Sequence, residues 1–290
     1  MGKHIIVYNG FEPSGRIHIA HAIVTVLNAN LLVENGYYMK LYIGDWFAKL
    51  NHKMKGNLEK IKVIGKYFIE VFKACGISKE NVEFVCASDL IFKDPNYWER
   101  VLDITTKTTY KRAIKCSQIM GRSDTDNLDV SQLIYPCMQC ADIFQLNVDI
   151  LQLGLDQKKC NMLAREYAGK INIPKPVSVA NQMLIGLKGA KAGKISKSIP
   201  DFSVLMEDSP EDVSRKFANP YYDDEIEGNP IYEYSRYILI RWLKHLKLKV
   251  NNILILKILK MTLNLLIKKI LKKLLTNMLF KFLTLKTTFC

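Results

Sequence analysis

Long apolar runs are missing from this 290-residue sequence: no stretch approaches the roughly 18 apolar residues that crossing a bilayer requires, so we expect no membrane span. A signal peptide is equally absent from the start, which opens Met1-Gly-Lys-His4 and passes into a short β-like run. Histidine is scarce, five residues in all, and no two stand at the i, i+4 spacing usual for a helical zinc pair, so we expect no metal site. The seven cysteines are odd in number and scattered, which argues for reduced thiols in a cytosol-like compartment. Cys137 and Cys140 form the only C-x-x-C, with no second pair at zinc-finger spacing, and read as small buried thiols. Acidic residues vanish after Trp242, where residues 243–290 carry 11 of the 42 basic residues and none of the 28 acids. The first 242 residues therefore hold 31 bases against 28 acids, and the formal charge of +14 is mostly a property of the tail.

What is present alternates between two periodicities. Residues 4–8, 40–43, 83–87, 149–153 and 176–180 read as strands. Residues 18–34 and 57–75 read as helices, the second with Leu58, Ile61, Ile64, Phe68, Phe72 and Cys75 on one side. A mainly helical stretch from about 97 to 146 interrupts the alternation. We expect an α/β, Rossmann-like parallel sheet with helices on both faces and a helical insertion, its ligand beyond the carboxyl ends of the strands. The expected organisation is a catalytic domain over 1–215, the start of a helical region over 216–242, and an atypical, mainly helical or disordered Leu/Lys-rich tail over 243–290. That tail has one apolar stripe (Leu259, Leu263, Leu266, Ile267, Ile270, Leu274) and a residue set sharing A/T-rich codons, which reads as out-of-frame translation. No function is rested on it.

Two segments carry chemistry. Gly10-Phe-Glu-Pro-Ser-Gly-Arg-Ile-His-Ile-Ala-His21 places a glycine-bearing turn and two histidines at the head of a helix, where backbone N–H groups and the positive helix end favour a phosphate. Gly193-Lys-Ile-Ser-Lys-Ser198 offers two ammonium groups and two hydroxyls, a set suited to a polyphosphate. Taken alone, the first is an ordinary helix start and the second a solvated loop.

Together and in this order, His18-Ile-Ala-His21 and Lys194-Ile-Ser-Lys-Ser198 resemble the HIGH and KMSKS signatures of class I aminoacyl-tRNA synthetases. Four further stretches narrow the resemblance to the archaeal and eukaryotic type of tyrosyl-tRNA synthetase over residues 4–242. They are Tyr8-Asn-Gly-Phe-Glu-Pro-Ser-Gly15, Tyr135-Pro-Cys-Met-Gln-Cys-Ala-Asp142, Leu153-Gly-Leu-Asp-Gln157 and Met162-Leu-Ala-Arg-Glu166. Ala20 and Ile195 depart from the signatures, and the family's opening helices and anticodon-reading region are not recognisable, so the chain is expected to be shortened at both ends.

The resemblance implies activation of tyrosine by ATP and transfer to tRNA(Tyr), with ATP as a substrate accompanied by Mg2+ and no tightly bound cofactor. It implies His18, His21, Lys194 and Lys197 as the catalytic set, and Gly10, Pro13, Ser14, Gly15, Ser196 and Ser198 as further ATP contacts. Tyr8 and Asp142 would hold the substrate's phenol, and Tyr135, Gln139 and Gln157 its amino group and backbone. Positions 135, 139 and 142 share one helix face by their spacing. Lys107, Lys111, Arg112 and Lys115 form a basic strip, the last three expected against tRNA phosphates. A homodimer in the cytoplasm, free of membrane, is the expected setting. The competing readings are a tryptophanyl enzyme and a non-catalytic tyrosine- or RNA-binding fragment.

Overall fold

The computed structural model describes residues 4–121, 126–181, 183–189, 202–218 and 229–245. The lysine/serine segment 193–198 and the apolar stripe of 259–274 lie outside the described residues. Two compact units make up the chain, one from Met1–Gly15, Leu32–Tyr67 and Lys79–Met183, the other from the described parts of Arg16–Leu31, Phe68–Ser78 and Leu184–Cys290.

The first unit is built on five parallel strands: β1 (Ile6–Phe11), β2 (Tyr38–Ile43), β3 (Val82–Cys86), β4 (Ile150–Gly154) and β5 (Val177–Asn181), in the order β3-β2-β1-β4-β5. β1 lies centrally and buries four of its six residues, on both faces, the pattern of a strand covered on both sides. It runs further than the expected 4–8, because Gly10 pairs with Tyr42 and Phe11 with Ile43. The turn-forming glycine suggested an early end, but the ladder to β2 carries the strand through it. The order reverses between β1 and β4, so the residues leaving these strands stand at the carboxyl edge where such sheets bind ligands.

The same unit carries α2 (Asp45–Leu50), α4 (Ala87–Lys93), α5 (Asn96–Thr106), α6 (Tyr110–Ser117), α7 (Val130–Gln145) and α8 (Lys158–Lys170). The expected helical insertion corresponds to α5 through α7. α7 begins with a capping box: Asp129 accepts from the backbone of Gln132, whose side chain accepts the Asp129 N–H at 3.2 Å. A core of Tyr97, Ile104, Cys116, Cys140, Ile143, Leu151 and Cys160, all fully buried, joins these helices to β4. Cys137 and Cys140 are buried free thiols, and burial raises both above the usual thiol range.

Helices α1 (Ile19–Glu34) and α3 (Leu58–Ala74) contribute residues to both units. The apolar stripe expected on α3 buries Ile61, Phe68 and Phe72, with Cys75 just beyond its end.

In the second unit the backbone around His18 runs antiparallel to residues 204–206. Ile19 N–H donates to Val204 O at 2.9 Å and Met206 N–H to Ile17 O at 3.0 Å. α9 (Pro210–Ala218) follows, then α10 (Pro230–Tyr234), a π-helical Ser235–Leu239 and α11 (Ile240–His245). Among the described residues no helix is long and apolar enough to cross a membrane.

Candidate active site

The first unit gathers Tyr8, Tyr135, Gln139, Asp142 and Gln157. Period-two alternation sets Tyr8, Gly10 and Glu12 on one side of β1 and its continuation. A side chain at Gly10 would put its Cβ 2.6 Å from the Tyr8 hydroxyl, so glycine is what allows the Tyr8 ring to lie along the strand. From α7 the four- and three-residue spacing delivers Tyr135, Gln139 and Asp142, all buried. Gln157 ends the 3₁₀ turn Leu155–Gln157 that leaves β4.

Polar contacts fix these groups. The Tyr135 hydroxyl donates to Glu12 Oε1 at 2.5 Å, and Asn51 Nδ2 donates to the same carboxylate at 3.0 and 3.1 Å. Gln139 Nε2 donates to Gln157 Oε1 at 3.3 Å, while Gln157 Nε2 reaches Ile119 O at 3.2 Å. The Tyr97 hydroxyl donates to Asp142 Oδ1 at 2.9 Å and lies 3.3 Å from Met138 O.

Asp142 Oδ2 and the Tyr42 hydroxyl are buried without a hydrogen-bond partner. The Tyr42 hydroxyl lies close enough to Asp142 to act on its carboxyl as a hydrogen-bond donor does, but the contact falls short of full hydrogen-bond geometry. Burial pushes the Asp142 carboxyl up to about 8, with hydrogen bonding from Tyr97 and then from Tyr42 pulling it back. Tyr8, Tyr42, Tyr97 and Tyr135 are all raised, by burial first and by nearby carboxylates second, so each remains a neutral hydroxyl at physiological pH.

Gly10 lies within β1, and Pro13, Ser14 and Gly15 follow its end. Gly15 has φ of 127°, a conformation that disfavours any side chain.

His18 and His21 belong to the second unit. His18 stands one residue before α1, and its Nδ1 accepts the His21 N–H at 3.0 Å, as an N-cap residue does. That bond places the proton of the neutral His18 ring on Nε2. The two imidazoles stack at 5.3 Å, and His21 meets Phe68 edge-on. Lys194, Ser196, Lys197 and Ser198 lie outside the described residues. Leu187 and Phe202, which bracket that segment in sequence, are joined by a 2.8 Å backbone bond, and the chain beyond it pairs with His18 at Leu205.

The basic strip, from Lys107 at the end of α5 to Lys115 on α6, divides. Lys111 and Lys115 are exposed, but Arg112 makes a two-pronged ion pair with Glu166, at 2.7 and 3.1 Å, and Lys107 pairs with Asp103. Four pocket residues have no counterpart among the expected ones: Glu12, Tyr42, Asn51 and Tyr97. Alternation from Tyr8 could have found Glu12. Tyr97 reads in sequence as the apolar side of an amphipathic helix. Among the described residues, no group of three His, Cys, Asp or Glu side chains could hold a metal ion.

Comparison with known proteins adds a family. Residues 1–281 match the model described as tRNA synthetases class I (W and Y). The chain is 48% identical over 238 residues to cytoplasmic tyrosine–tRNA ligase 2 of Arabidopsis thaliana, covering 81% of this chain and 32% of that protein. It is 47% identical over 240 residues to cytoplasmic tyrosine–tRNA ligase 1 of the same plant, covering 82% and 62%. The chain thus spans about a third and about three fifths of these curated relatives' lengths. Among solved structures, a Leishmania major tyrosyl-tRNA synthetase in complex with tyrosinol superposes with a TM-score of 0.81 at 36% identity, covering 94% of this chain and 45% of that one.

Proposed function

The chain belongs to the class I tRNA synthetases of the tryptophan and tyrosine group, and from that membership we propose that it activates tyrosine with ATP and passes the tyrosyl group to tRNA(Tyr). The observation that carries the choice of tyrosine is Asp142. It is a fully buried carboxylate with one oxygen bonded to Tyr97 and the other open, set in a pocket of neutral hydroxyls. An open carboxyl oxygen in a buried site suits a phenol, whose hydroxyl can donate to it or accept from it according to the carboxyl's protonation, and it penalises phenylalanine, which can do neither. Tyrosyl-tRNA synthetases already serve as the standard illustration of a site that rejects the analogue lacking the hydroxyl, because buried polar groups are then left unpaired. Tyr8 and Asp142 hold the phenol, and Tyr135, Gln139 and Gln157 hold the amino end, with Glu12 orienting Tyr135.

In the reaction the tyrosine carboxylate attacks the α-phosphorus of ATP, the bond to the pyrophosphate oxygen breaks, and pyrophosphate leaves. No protein nucleophile is required, so the protein contributes by positioning and by stabilising phosphoryl charge. His18 and His21 act on the phosphates through ring N–H groups, with Lys194 and Lys197 on the pyrophosphate and Gly10, Pro13, Ser14, Gly15, Ser196 and Ser198 as further contacts. Support for joining the two signatures comes from the pairing of His18 with Leu205, seven residues beyond Ser198. ATP is read as a substrate that brings its own Mg2+. Lys111 and Lys115 are the proposed tRNA phosphate contacts, and Arg112 joins them only if it leaves Glu166.

We read the chain as cytoplasmic, as its plant relatives are named. We also read it as a homodimer: exposed Phe92, Trp98 and Leu102 on α4 and α5 are side chains a second copy would cover, which light scattering tests through a mass of one chain or two. Exchange of labelled pyrophosphate into ATP tests the activity. Stimulation by tyrosine alone is expected. Stimulation by tryptophan instead overturns the specificity, and none from a folded chain that binds tyrosine makes it a binding module.

A further inference from the structure

We propose that Tyr42 is a specificity-determining residue for the amino-acid substrate, its hydroxyl meeting the substrate's phenolic oxygen while the open Oδ2 of Asp142 takes the phenolic hydrogen. The inference rests on the reading of this pocket as a tyrosine site and adds a residue that neither the sequence motifs nor the family signatures assign.

The register of the sheet sets Tyr42 in place. It pairs with Gly10, the one position on β1 that contributes no side chain, and its ring stands 5.6 Å from that of Tyr8 and 5.9 Å from Phe47. Three phenols therefore bear on one carboxylate, and they are not equivalent. Tyr97 is committed, donating to Asp142 Oδ1 and lying against Met138 O. The Tyr42 hydroxyl has no partner, and neither has Asp142 Oδ2, although both residues are almost wholly buried. A buried hydroxyl and a buried carboxyl oxygen left open in one buried site are each costly. One ligand group relieves both: a hydroxyl that donates to Oδ2 and accepts from Tyr42. Phenylalanine relieves neither. An indole N–H can donate to the carboxylate but offers Tyr42 no lone pair. Tyr42 thus selects for a ring bearing an oxygen, beyond the acceptor supplied by Asp142.

The test is Tyr42→Phe in the full chain, with tyrosine and phenylalanine titrated separately by calorimetry and each assayed for pyrophosphate exchange. We expect tyrosine to bind roughly 10-fold more weakly and phenylalanine to bind as before or slightly better, so that discrimination narrows by about that factor. Because the hydroxyl removed makes no fully formed hydrogen bond in the free protein, the unfolding midpoint should change little, which separates recognition from structural support. Unchanged tyrosine affinity, or equal losses for both amino acids, overturns the proposal. Failure of the wild-type chain to bind tyrosine overturns the pocket reading itself, so the two failures are distinguishable.

Discussion

Lys216 and Asp208 form a buried ion pair in the second unit, and removing one partner tests what holds the segment that pairs with His18. Lys216 Nζ lies 2.6 Å from Asp208 Oδ2 and 2.9 Å from Ser203 O, with side-chain exposures of 8% and 4% for the pair. Asp208 Oδ2 also accepts the Leu205 N–H at 2.7 Å, so one carboxylate fixes the chain on both sides of the 204–206 pairing. Lys216→Met leaves that carboxylate only the Leu205 N–H and the more distant Arg16, whose Nη2 lies 3.8 Å from Oδ1, and breaking a buried pair from one side costs roughly 3–5 kcal/mol. We therefore expect urea unfolding at pH 7 to report a loss of about 3 kcal/mol, the low end of that range because Arg16 remains near the carboxylate. Adding Asp208→Asn, which keeps an acceptor for Leu205, should restore more than half of it. The single variant should also raise the KM for ATP in pyrophosphate exchange, since the His18 strand loses its anchor. A loss below about 1 kcal/mol, or a double variant no better than the single, would refute the reasoning.

Gly10→Ala drives a Cβ to 2.6 Å from the Tyr8 hydroxyl, and tyrosine affinity measured by calorimetry should fall by at least roughly 10-fold as the ring is displaced. Glu12→Gln removes the charge from the acceptor shared by Tyr135 and Asn51. It should weaken tyrosine binding and lower stability by about 1.5–3 kcal/mol in urea titrations. Asp142, at about 8 in the folded chain and about 3.9 when unfolded, keeps a proton that the unfolded chain sheds between those values. Its contribution to stability therefore falls as pH rises from about 4 to 8, and Asp142→Asn should flatten that slope in unfolding measured across the range. Replacing Lys111 and Lys115 together with alanine should reduce the salt dependence of tRNA binding by up to about two units of log–log slope, each lost phosphate contact being worth somewhat less than one. Arg112→Ala should instead lower stability through the lost Glu166 pair.

Much of this was legible because the signals were local. Five β-rich runs gave the five strands, and the four- and three-residue spacing on α7 gave the pocket wall of Tyr135, Gln139 and Asp142. Strand order was not local: nothing in the runs themselves says that β4 rather than β3 lies beside β1, yet that neighbour decides where the switch point falls. The short helices α2 and α4 span six and seven residues, too few for a 3.6-residue period to declare itself. Tyr97 meets Asp142 across 45 positions and Arg112 meets Glu166 across 54, contacts that no window along the chain contains.

What the packing leaves undone is more telling than what it completes. Several buried polar atoms lack a partner among the described residues: Trp46 Nε1 and the Tyr234 hydroxyl want an acceptor, and Gln152 Oε1 and Asn161 Oδ1 want a donor. Each of these is one-sided, and water or a small rearrangement would meet it. At Asp142 and Tyr42 a missing donor and a missing acceptor bear on one another inside a fully buried cluster, close enough to interact yet short of a fully formed hydrogen bond. A fold selected only for stability would close that gap by turning the phenol onto the carboxylate, or would replace the carboxylate with an apolar side chain. Local rules broken without compensation in the free protein mark the place where a ligand completes the structure, and the chemistry of this gap is that of one hydroxyl on an aromatic ring.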